Sequence, residues 1–139
     1  MTDRKTILDK LAIVREHMAR ARARRPDARE AFDANAELQD ALALNVLVAA
    51  QEASDIAMYI TADEGWGLPG SYGEGFDLLA RNQVIGAAQA HAMTQIAALR
   101  GRIAHGVAGK EPGTLWTELP AALATLDRYV EAIAKFVGV

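Results

Sequence analysis

The chain has 139 residues, 51% of them hydrophobic, with a formal net charge of −3. That length and apolar share suit one domain over residues 1–139 around a single core; the balanced charge excludes a protein that coats nucleic acid through bulk positive charge, although a local basic patch is still able to grip a few phosphates. With no cysteine in the chain, disulfides, thiolate metal sites and cysteine nucleophiles are excluded.

In chain order, Met1 to Lys5 lead into mixed polar and apolar residues rather than a signal-peptide core. No run approaches the roughly 18 apolar residues of a membrane span, so a soluble, cytoplasmic protein without membrane contact is expected. From Thr6 to Ala23, Ile7, Leu11, Val14 and Met18 recur at steps of three and four, which puts them on one face of a first helix. A basic cluster follows: Arg20, Arg22, Arg24, Arg25 and, past Pro26, Arg29. It reads either as cations matched to the negative carbonyl end of a helix or as a contact for RNA phosphates.

Pro26 to Asn35 is a connection pinned by Phe32, and Asn35 is a suitable N-cap. The second helix then runs to Thr61, with Leu38, Leu42, Ala49, Ala53, Ile56 and Ile60 at helical spacing and no Gly or Pro. Its polar members Asn45, Gln51, Glu52 and Asp55 are expected mostly on the exposed side, with an inward Asp55 able to bond near His105. Glycines crowd the segment Asp63 to Gly75 but lack the Gly-Lys-Ser/Thr ending or preceding strand of a phosphate loop, so it reads as a connector. Ser71 and Glu74 form a capping box opening a short helix to Arg81. Trp66 and Tyr72 either plug the end of a bundle or stack on a base.

Ile85, Ala88, Ala92, Ile96, Leu99 and Ile103 give the next helix its stripe. At about 100° per residue, Arg100 flanks that stripe, His105 lies nearly opposite it, and Arg102 sits roughly a sixth of a turn from His105. Gly106 fits the C-terminal cap. His17 and His91 lack a comparable setting, and no histidine spacing makes a metal site. Lys110 to Pro120 reads as a loop with room for one helical turn, after which Pro120 opens a last helix carrying Leu123, Leu126, Val130, Ile133 and Val137, with Trp116 and Tyr129 as larger fillers. The expected fold is all-α, an antiparallel up-and-down four-helix bundle with an additional short helix.

These residues, in this order, resemble the HEPN superfamily and its HepT-like branch. The resemblance is carried by Glu37 to Ala41 with Asn45, Gln51 and Asp55, by Leu68 to Tyr72, by Phe76 to Ala80, by Val84-Ile85, and above all by Leu99-Arg100-Gly101-Arg102-Ile103-Ala104-His105-Gly106. It implies a helical bundle that dimerises, or assembles further, and joins two Arg-x4-His pairs into a ribonuclease site that uses no metal and no cofactor. Arg100 and His105 match that pair, with Arg102 and Asp55 as supporting or RNA-binding residues. It also implies a toxin whose partner, a small nucleotidyltransferase antitoxin, adds AMP to a tyrosine just after the motif. Two positions depart from the pattern. Gly101 stands where the family most often has Asn, removing a hydrogen-bonding group, and Val107 stands where it has the tyrosine, removing the modification site.

Cleavage of this kind needs a base for the 2′-hydroxyl proton, an acid for the leaving oxygen and a cation for the charge on the phosphorane. One His105 cannot be base and acid at once, whereas a two-fold dimer supplies two. Arg100, with its planar fork, suits the phosphate; Arg102 orients it, replaces the missing Asn contact, or faces water. The alternatives are a non-catalytic HEPN subunit that binds a minimal nucleotidyltransferase, and a bundle whose cations merely finish a helix.

Overall fold

The computed structural model describes residues 2–106 and 112–138, and every regular element among them is a helix. They are α1 (Arg4–Arg24), α2 (Arg29–Asp33), α3 (Ala36–Asp63), α4 (Tyr72–Arg81), α5 (Ala87–Ala104) and α6 (Pro112–Phe136). Side-chain bonds between helices record the antiparallel order. Thr2 bonds to Glu64 and Lys10 to Glu52 between α1 and α3; Gln89 bonds to Thr125 and Arg102 to Glu118 between α5 and α6. The short α4 packs across α3 and α5.

The stripes read from the sequence are the core. Ile7, Leu11, Val14 and Met18 of α1 are buried against Leu42, Ala49, Ala53, Ile56 and Ile60 of α3, with Leu123, Leu126, Val130 and Ile133 of α6 closing the other side. Asn35 caps α3 by accepting from the Leu38 amide at 3.0 Å. By length and composition α3 could cross a membrane, contrary to the reading that no run comes close. Half of that apolar stretch is buried by the other helices, the share a core helix packed on one face would bury. The connection from Pro26 to Asn35 also holds a helix of its own, α2, whose Phe32 is buried.

Two other expectations are corrected. Asn45 is buried, because two partners meet it there: Arg24 donates to its Oδ1 at 2.5 Å, and its Nδ2 lies 3.0 Å from His17 Nδ1. An arginine only donates, so the amide oxygen must face Arg24 and the amide nitrogen the ring, which makes Nδ1 the acceptor. On α5 the inward face is centred on Ala90, Met93, Ile96 and Leu99, and Ala88 is exposed. Hydropathy cannot rank one alanine above another; the packing of α3, α4 and α6 on α5 settles the rotation.

The largest correction concerns Pro120. The segment read as a loop up to Pro120 is helical from Pro112 onward, and Pro120 lies inside α6; Lys110 and Glu111 fall outside the described residues. A proline inside a helix removes one hydrogen bond and crowds the carbonyl four residues back, at a cost of about 3 kcal/mol. That carbonyl belongs to Trp116, and here it accepts from Arg25 Nε at 3.1 Å. The same guanidinium lies 4.0 Å from the centroid of the Trp116 ring, whose Nε1 donates to the Pro26 carbonyl at 2.8 Å. Leu115 and Leu119, buried on either side, hold the segment down. At its start α6 rests on α2 so closely that a Cβ at Gly113 would collide with the Arg29 guanidinium.

Tyr129 is fully buried, donates to the Ala53 carbonyl at 2.8 Å and meets Phe76 edge-on at 5.8 Å. Burial pushes its phenol well above the usual range. The neutral form is therefore favoured in the fold, so its contribution is complete below the ordinary value of 10.0 and is lost as pH rises past it. Above pH 10 the wild type should lose stability more steeply than Tyr129→Phe, by up to about 1.4 kcal/mol per pH unit, in urea titrations at pH 8 and 11. Arg25→Ala should cost about 2 kcal/mol. In a Pro120→Ala background, where residue 120 regains an amide to offer the Trp116 carbonyl, the same change should cost less than half as much; equal costs in the two backgrounds would show that Arg25 does not compensate for Pro120.

Candidate functional site

The last turn of α5 carries Arg100, Arg102 and His105. His105 is the C-cap, with φ −90°, and donates its amide to the Gly101 carbonyl at 3.1 Å. Gly106 follows with φ +75° and donates to the Ile103 carbonyl at 3.0 Å, a left-handed termination that glycine adopts without strain. The cap read from the sequence is present. The His105 side chain is exposed and makes no hydrogen bond or ion pair with a described residue. Val107 lies outside the described residues.

Arg100 points the other way. It sits within about 20° of Met93 and 40° of Ile96 around the helix, so it shares the inward face rather than merely flanking it. Its Nε is buried and has no hydrogen-bond partner among the described residues. Its Cζ lies 5.9 Å from the centroid of the Tyr72 ring. Tyr72 opens α4, and that turn is fixed by the predicted cap: Ser71 Oγ accepts from the Glu74 amide at 3.1 Å. The reciprocal arm reaches one residue further than a standard box, with the Glu74 carboxylate accepting from the Gly70 amide at 2.6 Å. At its other end the Tyr72 hydroxyl accepts from Gln51 Nε2 at 2.9 Å and donates to Asp55 Oδ1 at 3.4 Å, while Gln51 also donates to Asp55 at 2.9 Å. Asp55 thus turns inward as one reading allowed, but toward Tyr72 and Gln51. Of the two aromatic candidates, Trp66 is the plug, meeting Phe136 edge-on at 6.1 Å at the bundle end.

Arg102 belongs to a different side. Its guanidinium pairs with Glu118 of α6 at 2.9 Å and lines, with His91, Gln95 and Leu99, a cleft of about 380 Å³. A roomier cleft of about 920 Å³, lined by Arg81, Val84, Arg128 and Lys135, lies at the opposite end of α5 and contains neither Arg100 nor His105. The basic cluster is engaged within the fold: Arg20 with Glu16, Arg22 with Asp127, Arg24 with Asn45, Arg25 with Trp116 and Arg29 with Asp33. The helix-end reading of that cluster is therefore the one its contacts favour. Among the described residues no group of three His, Asp or Glu is arranged to hold a metal ion.

Four predicted residues thus occupy three settings: Arg100 beside the Tyr72 ring with Asp55 at its hydroxyl, Arg102 paired with Glu118 of α6, and His105 in solvent. Tyr72, which the sequence offers as a plug or a base-stacking ring, and Gln51, which is among the residues that carry the resemblance, join Arg100 and Asp55 there. The four-residue step from Gln51 to Asp55 puts both on one face of α3.

Residues 7–133 match the family model described as Ribonuclease HepT-like. The chain belongs to the HepT-like family. No curated protein matches it. Among solved structures it is similar to the tri-AMPylated Shewanella oneidensis HEPN toxin in complex with MNT antitoxin, with a TM-score of 0.85 at 23% identity, covering 97% of this chain and 99% of that one. It is similar also to a mutant of the toxin-antitoxin MntA-HpeT, with a TM-score of 0.84 at 23% identity over 93% and 97% of the two chains. A toxin-antitoxin with AMP-PNP gives 0.82 at 22% identity over 96% and 99%. Identities this low establish a shared HepT-like fold.

Within that fold the structure does not require glycine at position 101: a Cβ there would meet nothing within 4 Å. Gly101→Ala should raise stability by about 0.5–1 kcal/mol, the usual helix-interior difference, measured as a shift of the urea midpoint at constant slope.

Proposed function

We propose that this chain is the toxin of a toxin-antitoxin pair, a metal-independent ribonuclease whose site is completed by a second copy of itself. The observation that carries the reading is Arg100: a guanidinium on the inward face with a buried Nε, five residues before an exposed imidazole, neither having a partner among the described residues. A buried donor without an acceptor costs about 1–3 kcal/mol, and a phosphate oxygen would relieve it.

The need for two copies follows from the helix. Arg100 and His105 are about 140° apart around α5, and one chain offers one imidazole there. His17 is tied to Asn45, and His91 lies fourteen residues, about 21 Å, back along the helix. With two His105 side chains facing each other across a two-fold axis, the neutral one takes the 2′-hydroxyl proton as that oxygen attacks phosphorus. The charged one gives its proton to the departing 5′-oxygen, leaving a 2′,3′-cyclic phosphate and a 5′-hydroxyl. Arg100 neutralises the phosphorane oxygens. Arg102, held by Glu118, is placed to meet a neighbouring phosphate only by leaving that pair.

A small nucleotidyltransferase antitoxin is the proposed partner, as in the solved HEPN toxin and MNT antitoxin pair. Valine has no hydroxyl to accept AMP, so control at residue 107 by that modification is chemically closed and the partner acts through contact or another residue. Gly101 favours a second reading, a non-catalytic HEPN subunit that binds the nucleotidyltransferase: it leaves open the space where the family's polar side chain stands, and the fold does not require the vacancy.

Purified protein should cleave structured RNA in EDTA, and His105→Ala or Arg100→Ala should each lower the rate by about 100-fold or more. Cleavage unchanged in His105→Ala overturns the ribonuclease. An inert wild type that becomes active as Gly101→Asn, and that copurifies with a nucleotidyltransferase, selects the binding subunit.

A further inference from the structure

We infer that Tyr72 is a positioning residue for Arg100: its ring, fastened to α3 through Gln51 and Asp55, sets the plane in which the guanidinium meets its anion. The kinetic side of this inference rests on the ribonuclease reading; the structural side does not.

Arg100 makes no hydrogen bond or ion pair with a described residue, and its Nε faces no acceptor. A planar fork is useful only when its orientation is defined, because two parallel N–H groups must point at two oxygens together. The described group that supplies an orientation is the Tyr72 ring, 5.9 Å from Cζ, near the outer limit of cation–π attraction. That ring is itself immobilised at both ends. Its backbone begins α4 under the Ser71 cap, and its hydroxyl is held by Gln51 and Asp55, two residues one turn apart on α3. Three helices therefore converge on one guanidinium: α5 carries it, α4 supplies the surface beside it, and α3 anchors that surface. Asp55 acts through Tyr72, accepting from its hydroxyl and so holding the far end of the ring.

The two halves of this role separate by substitution. Tyr72→Phe keeps the ring and releases it from α3, while Tyr72→Leu removes the ring. Cleavage of a structured RNA in EDTA should show kcat lowered about tenfold in Tyr72→Leu and about threefold in Tyr72→Phe, with KM within about twofold of wild type in both, the pattern of lost orientation rather than lost binding. Adding Tyr72→Leu to Arg100→Ala should lower kcat no further. Independently of catalysis, the Arg100 Nε–H resonance should be displaced by the ring in the wild type and in Tyr72→Phe, and should move to the position of a free arginine in Tyr72→Leu. A Tyr72→Leu protein with wild-type kcat, or with its Arg100 resonance unmoved, overturns the inference; if Tyr72→Leu does not fold, a Tyr72→Phe protein with wild-type kcat does so. A wild type that cleaves no RNA defeats the ribonuclease reading alone, and the resonance then decides Tyr72.

Discussion

The Trp116 carbonyl, left without a helical donor by Pro120, is taken by the Arg25 guanidinium, and much of the molecule depends on that exchange. Because the bond is replaced, α6 runs unbroken from Pro112 to Phe136 and lies along both α1 and α5. Leu115 and Leu119 then reach the core ahead of the proline, and Glu118 comes opposite Arg102. A helix beginning at Pro120 would leave the last turn of α5 without a neighbour on that side. The end of α1 thus supports the end of α5 through a proline on a third helix.

The two faces of that last turn are chemically unlike. On one side an exposed ion pair, Arg102 with Glu118, is worth well under about 1 kcal/mol, because water and salt screen it. On the other side Arg100 keeps a donor out of water without an acceptor, beside an aromatic ring and within a network that ends on Asp55. Folding energetics alone would favour pairing or exposing that donor. The inward face thus holds a donor left without an acceptor among the described residues, whereas Arg102 on the outward side has its counter-charge.

The helices and most of the core were legible in the sequence, since spacing and capping residues act locally: Ile7 to Met18, Asn35, Ser71 and Gly106 all do what their positions suggest. What was not legible depended on contacts between distant segments. Pro120 inside α6 required Arg25, 95 positions earlier in the chain. The burial of Asn45 required Arg24 and His17 together. The rotation of α5 was ambiguous because alanines occupy both candidate faces, and its packing against α3, α4 and α6 decides it. For the site, the motif located Arg100 and His105, whereas Tyr72 could not be assigned before α4 was known to lie against α5.

The internal engagement of the arginines at the end of α1 has a thermodynamic consequence. The charges of Arg20, Arg22 and Arg29 are offset by Glu16, Asp127 and Asp33, and Arg24 and Arg25 are tethered to Asn45 and the Trp116 carbonyl, so this cluster meets a polyanion with less than its formal charge. Each phosphate neutralised on a single strand contributes only about 0.7 to the slope of log affinity against log salt. An RNA strand seated away from this cluster would therefore bind with a shallow dependence on ionic strength. Discrimination in such a complex would rest on the shape of the strand, since charge attracts every sequence alike.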